Sequence, residues 1–426
     1  MRKFAFLILA VGMVSCKISN YLPYFDMAEQ LYVGKDYTRA IEMYVEAIRQ
    51  KGNSPEVFFG LGMAYYQNGQ LEEAMLALEK SIALGPDNEV AYQRLASVHL
   101  DLGNPDTAVV LCQKAIDLDE SFAEAYNTLG HALFDIGKLD SAEHSFDYAL
   151  HFSKKLATRD RANTFRSLYL DEQAEAYNGL GEISLSQNLY TRALEQFGSA
   201  VDLASTWETP WINKGRVYEL LGNSVAAQIS YVRAIDLAPG NLNTYKRLAD
   251  LYTRLGKETD AINIYRSMLR QDPSNVDAYY GLASIYEKRR DFARAAGAYE
   301  GVLKNAPDDP LGYFRLGDLY LKDSNYDKAI SCFRQATEVD GWHAQSYNGL
   351  GEAFQAKGEY KDAQEAYERS LVCDSSFTLP MRNLGSLLMA LGREEEGVRS
   401  YQKAAALGDV DAMIFLRSRE FELKKK

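Results

Sequence analysis

The chain is poor in the residues that usually carry chemistry. Its 426 residues include four cysteines, three tryptophans and five histidines. No two cysteines form a CxxC pair, which excludes both the common zinc knuckles and a dithiol redox site. Cys112 and Cys332 fall inside apolar helical patterns and read as small core residues, and Cys373 lies near the end of another. The histidines are His99, His131, His144, His151 and His343; the pair at 144 and 151 is seven apart, not the i, i+4 spacing of helical metal ligands. GxxxxGK[ST], GxGxxG, HExxH and GxSxG are all missing. We therefore expect no enzyme, no metal, no cofactor and no small-molecule substrate. Long apolar runs are missing too: the longest candidate, Phe4 to Val11, is too short to span a bilayer. Positive charge is in deficit, with a formal net charge of −12. Such a surface disfavours phosphate backbones, so nucleic acid is not an expected partner. It serves solubility by default and suits a basic or neutral polypeptide.

What the chain has in abundance is repetition. Residues 242–275 contain two short apolar faces at helical spacing. Tyr245, Leu248, Tyr252 and Leu255 form the first; Ala261, Ile264, Tyr265, Met268 and Leu269 form the second. Gly256 separates them, and Pro273 ends the second. A helix pair this short cannot bury its apolar faces alone and needs neighbours of its own kind. Stepping by 34 from Ala249 meets a small residue every time: Ala28, Gly62, Ala96 and Gly130, then Gly181, Gly215, Ala283, Gly317, Gly351 and Gly385. One step, from 130 to 181, is 17 residues longer. Ala261 recurs in the same way from Ala40 to Gly397, with an aromatic four residues later in nine of eleven copies.

In one copy Trp211, Gly215, Tyr218, Gly222, Ala227, Tyr231, Ala234 and Pro239 follow one another at set spacing, with Lys214 where leucine is usual. This pattern resembles the tetratricopeptide repeat family. The resemblance implies an all-α fold, a right-handed superhelical solenoid of about eleven helix-turn-helix repeats, acting as a protein-binding scaffold. We expect copies one to four over 24–153, a basic helical insertion over 154–173, copies five to eleven over 174–411, and a capping helix with a basic tail over 412–426. A polar-faced cap is what such an array needs at its end.

The resemblance also implies that residues two, five, six, nine and twelve of each copy face a concave groove. Those positions supply Asn127, His131, Asn178, Glu182, Asn213, Arg216, Lys246, Asp250 and Asn348 as candidates for partner binding. An asparagine amide both donates and accepts, so it can pair with an extended partner backbone whatever its side chains. Asn178 and Asn213, in adjacent copies, are the expected pair to bracket such a backbone, and their removal is expected to leave folding intact. The two-carboxylate clamp known in the family is not expected: only Asn213 and Arg247 match it, and Glu182 would repel a carboxylate.

The insertion holds Lys154, Lys155, Arg159, Arg161 and Arg166 in an otherwise acidic chain. It has no Gly or Pro, so two lengthened helices with a turn around 157–161 are expected rather than a flexible linker. It reads as a tolerated insertion, a second contact surface, or a bend between two sub-arrays.

At the amino terminus, Arg2 and Lys3 precede the apolar run, and Val14, Ser15 and Cys16 follow it. This resembles a bacterial lipoprotein signal, with Met13 where leucine is preferred. The resemblance implies removal of residues 1–15, acylation of Cys16 and a lipidated tether over 16–23. Lys17 in place of an aspartate favours the outer membrane or cell surface. The expected role is an exported, lipid-anchored scaffold in cell-envelope assembly or complexes. The alternatives are a surface adhesin, or a non-catalytic subunit of a peptidoglycan- or carbohydrate-processing enzyme.

Overall fold

The computed structural model describes residues 21–160 and 163–423, with backbone alone for the last four of these. Among the described residues there are 23 α-helices and no strand. The chain divides into two compact units, one ending at Pro239 and one beginning at Gly240.

The first unit is built of six helical hairpins: α1 (Leu22–Val33) with α2 (Tyr37–Arg49), α3 (Pro55–Gln67) with α4 (Leu71–Leu84), α5 (Glu89–Asp101) with α6 (Pro105–Leu118), α7 (Ala123–Asp135) with α8 (Leu139–Arg159), α9 (Arg166–Ser186) with α10 (Tyr190–Leu203), and α11 (Thr209–Leu220) with α12 (Ser224–Leu237). The second has five: α13 (Leu242–Arg254) with α14 (Glu258–Gln271), α15 (Val276–Lys288) with α16 (Phe292–Asn305), α17 (Pro310–Lys322) with α18 (Tyr326–Val339), α19 (Ala344–Lys357) with α20 (Tyr360–Cys373), and α21 (Thr378–Ala390) with α22 (Glu394–Ala406). A last helix, α23 (Val410–Leu423), closes it. Within each unit successive helices pack on one another, so each hairpin covers the apolar faces of the next.

The helix ends follow from local chemistry. Ser54, Asn88, Asn223, Asn241 and Asn275 each accept a hydrogen bond from the backbone N–H three residues on, satisfying a donor that has no partner inside the helix. Pro55, Pro105 and Pro310 open helices at positions where a missing N–H costs nothing. The turn inside every hairpin passes through the left-handed region, at 35, 69, 103, 137, 188, 222, 256, 290, 324, 358 and 392. Glycine fills seven of these slots; Lys35, Asn188, Arg290 and Ser324 fill the others with φ between 56° and 63°. At Gly256 the reversal lets its N–H reach Thr253 O and the Lys257 N–H reach Tyr252 O, closing the end of α13.

The core explains the 34-residue register. Ala40, Ala74, Ala108, Ala142 and Ala193 are fully buried in the first unit, as are Ala261, Ala295, Ala329 and Ala363 in the second. Phe146, Phe197, Tyr231, Phe333 and Tyr367 each lie over a glycine of their own first helix, and Tyr44, Phe146, Tyr265 and Phe333 lie over a glycine one hairpin on. Phe146 is fully buried in this way between Gly130 and Gly179. A Cβ on Gly130 would come within 2.7 Å of the ring, and one on Gly179 would enter it. In several slots that hold tyrosine, the hydroxyl finds a partner on a first helix. Tyr299 donates to Glu287 at 3.1 Å, Tyr367 to Gln355 at 2.9 Å, Tyr265 to Asp250 at 2.9 Å, and Tyr231 to Glu219. Cys112 takes an aromatic slot as a fully buried thiol, and burial pushes its pKa up to about 12. Cys332, half-buried, is pushed up to about 11 by burial first and by the charge of Glu300 second.

The insertion lengthens both flanking helices. α8 and α9 have 21 residues each, α8 running to Arg159 and α9 starting at Arg166. The first of them runs to Arg159, so the break in helix falls a few residues later than the spacing predicts. Both helices lie inside the first unit, so the boundary between the units falls after the sixth hairpin and not at the insertion. Arg161 lies outside the described residues, as do Cys16 and the whole of 1–20. At the other end, Phe415 of α23 stacks on Tyr401 with ring centroids 4.0 Å apart, and Arg419 pairs with Glu394.

Candidate polypeptide-binding site

Three of the predicted groove residues meet on one hollow of the first unit, and the amides among the candidates are already engaged. The hollow lies between α7, α9 and the turn leading into α11, and has a volume of about 590 Å³. His131 of α7 lines it, with Asp171, Glu175, Asn178 and Glu182 of α9, Thr206, Trp207 and Glu208 of the turn, and Thr209 at the start of α11. Helical spacing brings 171, 175, 178 and 182 to one face of α9.

On the floor, Asn178 donates to Glu182 Oε1 at 3.0 Å. Asn213 of α11 donates to Asn178 Oδ1 at 3.0 Å and to the same Glu182 oxygen at 3.1 Å. Arg216 in turn donates to Asn213 Oδ1 at 3.1 Å. Asn178 and Asn213 are each only 3% exposed. This corrects the expectation that their amides stand free to bracket a partner backbone. They clasp the fifth hairpin to the sixth, and losing them would leave buried polar atoms unpaired. Asn127 departs further: it is fully buried and donates to Glu172 O at 2.9 Å, because the insertion brings the lengthened start of α9 over it.

His131 is the candidate that remains open to the hollow, with 30% of its side chain exposed and Nε2 3.7 Å from Glu175 Oε1. Burial pulls its pKa down, but the pairing with Glu175, together with the charges of Glu182 and Asp135, outweighs that, and the net shift is upward. Its ring also meets the edge of Phe146, centroids 5.0 Å apart. Asp171 is shifted upward by burial. The hollow thus presents carboxylates, an indole and an imidazole, a set suited to a cationic group.

The candidates of the second unit are also occupied. Lys246 pairs with Asp277 at 2.8 Å, and Asp250 accepts the Tyr265 hydroxyl. Asn348 donates to Glu352 at 2.8 Å, while Asn383 donates to Asn348 at 3.1 Å and to Glu352 at 2.8 Å. This is the clasp of the first unit repeated with the same spacing. Of the residues that sequence reasoning missed, Glu175 is the second residue of its copy and was within reach of the groove rule. Trp207 and Glu208 come from a turn, where no periodicity points inward.

Tetratricopeptide repeat models match residues 34–98, 209–241, 246–310 and 312–372, together more than half of the chain. The chain belongs to the tetratricopeptide repeat family. A model described as anaphase-promoting complex, cyclosome, subunit 3 matches residues 67–149. Among curated proteins, the human protein O-mannosyl-transferase TMTC1 is 25% identical over 212 residues, which is 50% of this chain and 22% of that protein. The chain thus spans about a fifth of that relative's length. Among solved structures, yeast Tom70 is similar at 15% identity and a TM-score of 0.40, covering 95% of this chain and 96% of that one. YrrB, described as a TPR protein with an unusual peptide-binding site, is similar at 20% identity and a TM-score of 0.37, covering 44% of this chain and 97% of that one. As a tetratricopeptide repeat array the protein is a scaffold for protein interactions. Among its described residues no helix is long and apolar enough to cross a membrane.

Proposed function

We propose that this repeat array is a non-catalytic, exported scaffold, held to the cell envelope by lipid on Cys16, that binds a polypeptide segment in the hollow of its fourth to sixth hairpins. The observation that carries the binding reading is the convergence of His131, Glu175, Glu182, Glu208 and Trp207 on one cavity. A segment carrying lysine or arginine fits it: carboxylates attract the cation, and the indole face stabilises it by about 0.5–2 kcal/mol. The Asn178–Glu182–Asn213 clasp has a supporting part, since it holds Glu182 in place and ties the hairpins that form the walls. The anchoring reading rests on the sequence of residues 1–16, with its short apolar run ending at Cys16.

Two variants test the proposal separately. Glu175→Lys with Glu208→Lys should abolish capture of the partner from envelope extracts while the melting temperature stays close to that of wild type. Undiminished capture would remove the hollow from the account. Cys16→Ala should move the protein from the membrane fraction to the soluble one. Unchanged fractionation, with an unmodified amino terminus by mass spectrometry, would remove the anchor and leave the hollow untouched.

A further inference from the structure

A second surface stands apart from the hollow, where α8 ends and α9 begins. Several exposed cations of the first unit lie against carboxylates, as Arg192 does against Glu143 and Arg49 against Glu46 at 3.3 Å. Lys154, Lys155, Arg159 and Arg166 are exposed, and among the described residues none is ion-paired with a carboxylate. The nearby Asp160 is committed to the chain, accepting the Phe165 N–H at 2.7 Å.

Local stability does not account for this gathering. A cation in the last turn of α8 suits the negative end of the helix dipole, which explains Arg159. Arg166 is the first residue of α9, where the dipole opposes it. Like charges so placed repel one another. The rings beside them form a platform: Tyr126, Tyr148 and Phe152 have centroids 5.4–6.4 Å apart, and Tyr148 is 52% exposed. Lys154 Nζ donates to the Tyr177 hydroxyl at 3.1 Å, and Lys155 Nζ lies 5.8 Å from the Phe152 centroid. Both ammonium groups thus rest against aromatic side chains.

We propose that this tip docks an acidic segment of a protein partner, its cations taking carboxylates and its tyrosines packing beside them. A single strand fits better than an anionic bilayer. A strand touches only the tip, within a Debye length of about 8 Å, whereas the chain's formal net charge of −12 disfavours an extended anionic surface.

The test uses the full chain and a fluorescent oligoglutamate peptide, with vesicles of phosphatidylglycerol as a second arm. The peptide should bind at low salt and weaken as salt rises. Lys154→Glu, Lys155→Glu and Arg159→Glu together should weaken binding by about tenfold or more, since each reversal also adds repulsion. A control with the same change in net charge, Lys80→Glu, Lys304→Glu and Lys403→Glu, should weaken it far less. Circular dichroism confirms that both triple variants fold. No peptide binding at low salt, or equal loss in the two triple variants, would overturn the proposal. Binding to the vesicles in place of the peptide, lost in the first variant, would overturn it in favour of a lipid surface.

Discussion

The Asn213 amide donates across a hairpin boundary to Asn178 Oδ1 at 3.0 Å, and 170 residues further on Asn383 donates to Asn348 at 3.1 Å. Each pair closes on a glutamate four residues after the first asparagine, Glu182 or Glu352. Each compact unit therefore holds one copy of the same polar clasp between successive first helices. Asn213→Ala should destabilise the first unit by about 1–3 kcal/mol, because it strands buried groups on both neighbours. Asn383→Ala should cost less, since that side chain is half-buried. Urea denaturation of the two variants measures the difference, and an unchanged midpoint for Asn213→Ala would show that the clasp carries no stability.

The aromatic slots make a second test. Gly179→Ala places a methyl group inside the Phe146 ring, which has no room to retreat because Gly130 backs its other side. The overpacking should cost about 1–3 kcal/mol. Gly198→Ala, in α10, meets nothing within 4 Å and should be neutral or slightly stabilising, since alanine favours the helix by up to about 1 kcal/mol over glycine. Thermal melts of the two should move in opposite directions.

The left-handed turns give a third. Arg290 and Ser324 hold φ of 56° and 60° in slots that glycine fills in seven other hairpins. Arg290→Gly or Ser324→Gly should raise stability by up to about 1 kcal/mol: relief of roughly 1–2 kcal/mol of strain is partly offset by the greater freedom of the unfolded chain. Gly256→Ala should lower it by about 1 kcal/mol or more, for the same reason in reverse. Chemical denaturation checks all three.

Much of this architecture was legible in the sequence because it is periodic. The small residues at Gly130 and Ala142 and the aromatic at Phe146 repeat because two helices can approach closely only there. The repeat register followed from them, as did the expectation of lengthened helices in the glycine-free insertion. The engagement of the asparagines was not legible. Asn178 and Asn213 are 35 residues apart, and only the approach of neighbouring first helices shows that each satisfies the other. The boundary at Pro239 was hidden as well, since the repeats run through it in unbroken register. Trp207 and Glu208 belong to a connection whose direction no periodicity sets.

The hollow should report pH through His131. Its pKa is raised in the folded chain, so its stabilising charge is fully present below the unfolded value of about 6.5 and is lost as pH rises through the folded value. His131→Gln should therefore reduce stability more at about pH 5.5 than at about pH 8. Denaturation curves for both proteins across that range, together with NMR titration of the His131 ring, decide it. A deficit that grows toward alkaline pH would contradict the assigned pairing with Glu175.

The most direct test of the scaffold reading is site-specific photocrosslinking in intact cells. A photoreactive residue replaces His131 in the hollow, Ile229 on the exposed face of α12, or Leu311 in the second unit; both of the latter are exposed. Crosslinking at 131 should give a discrete protein adduct, whose crosslinked peptide carries lysine or arginine, with none at 229 or 311. That adduct should vanish when Glu175→Lys and Glu208→Lys are added. Adducts at 229 or 311 with none at 131, or an adduct at 131 that survives both charge reversals, would contradict the account.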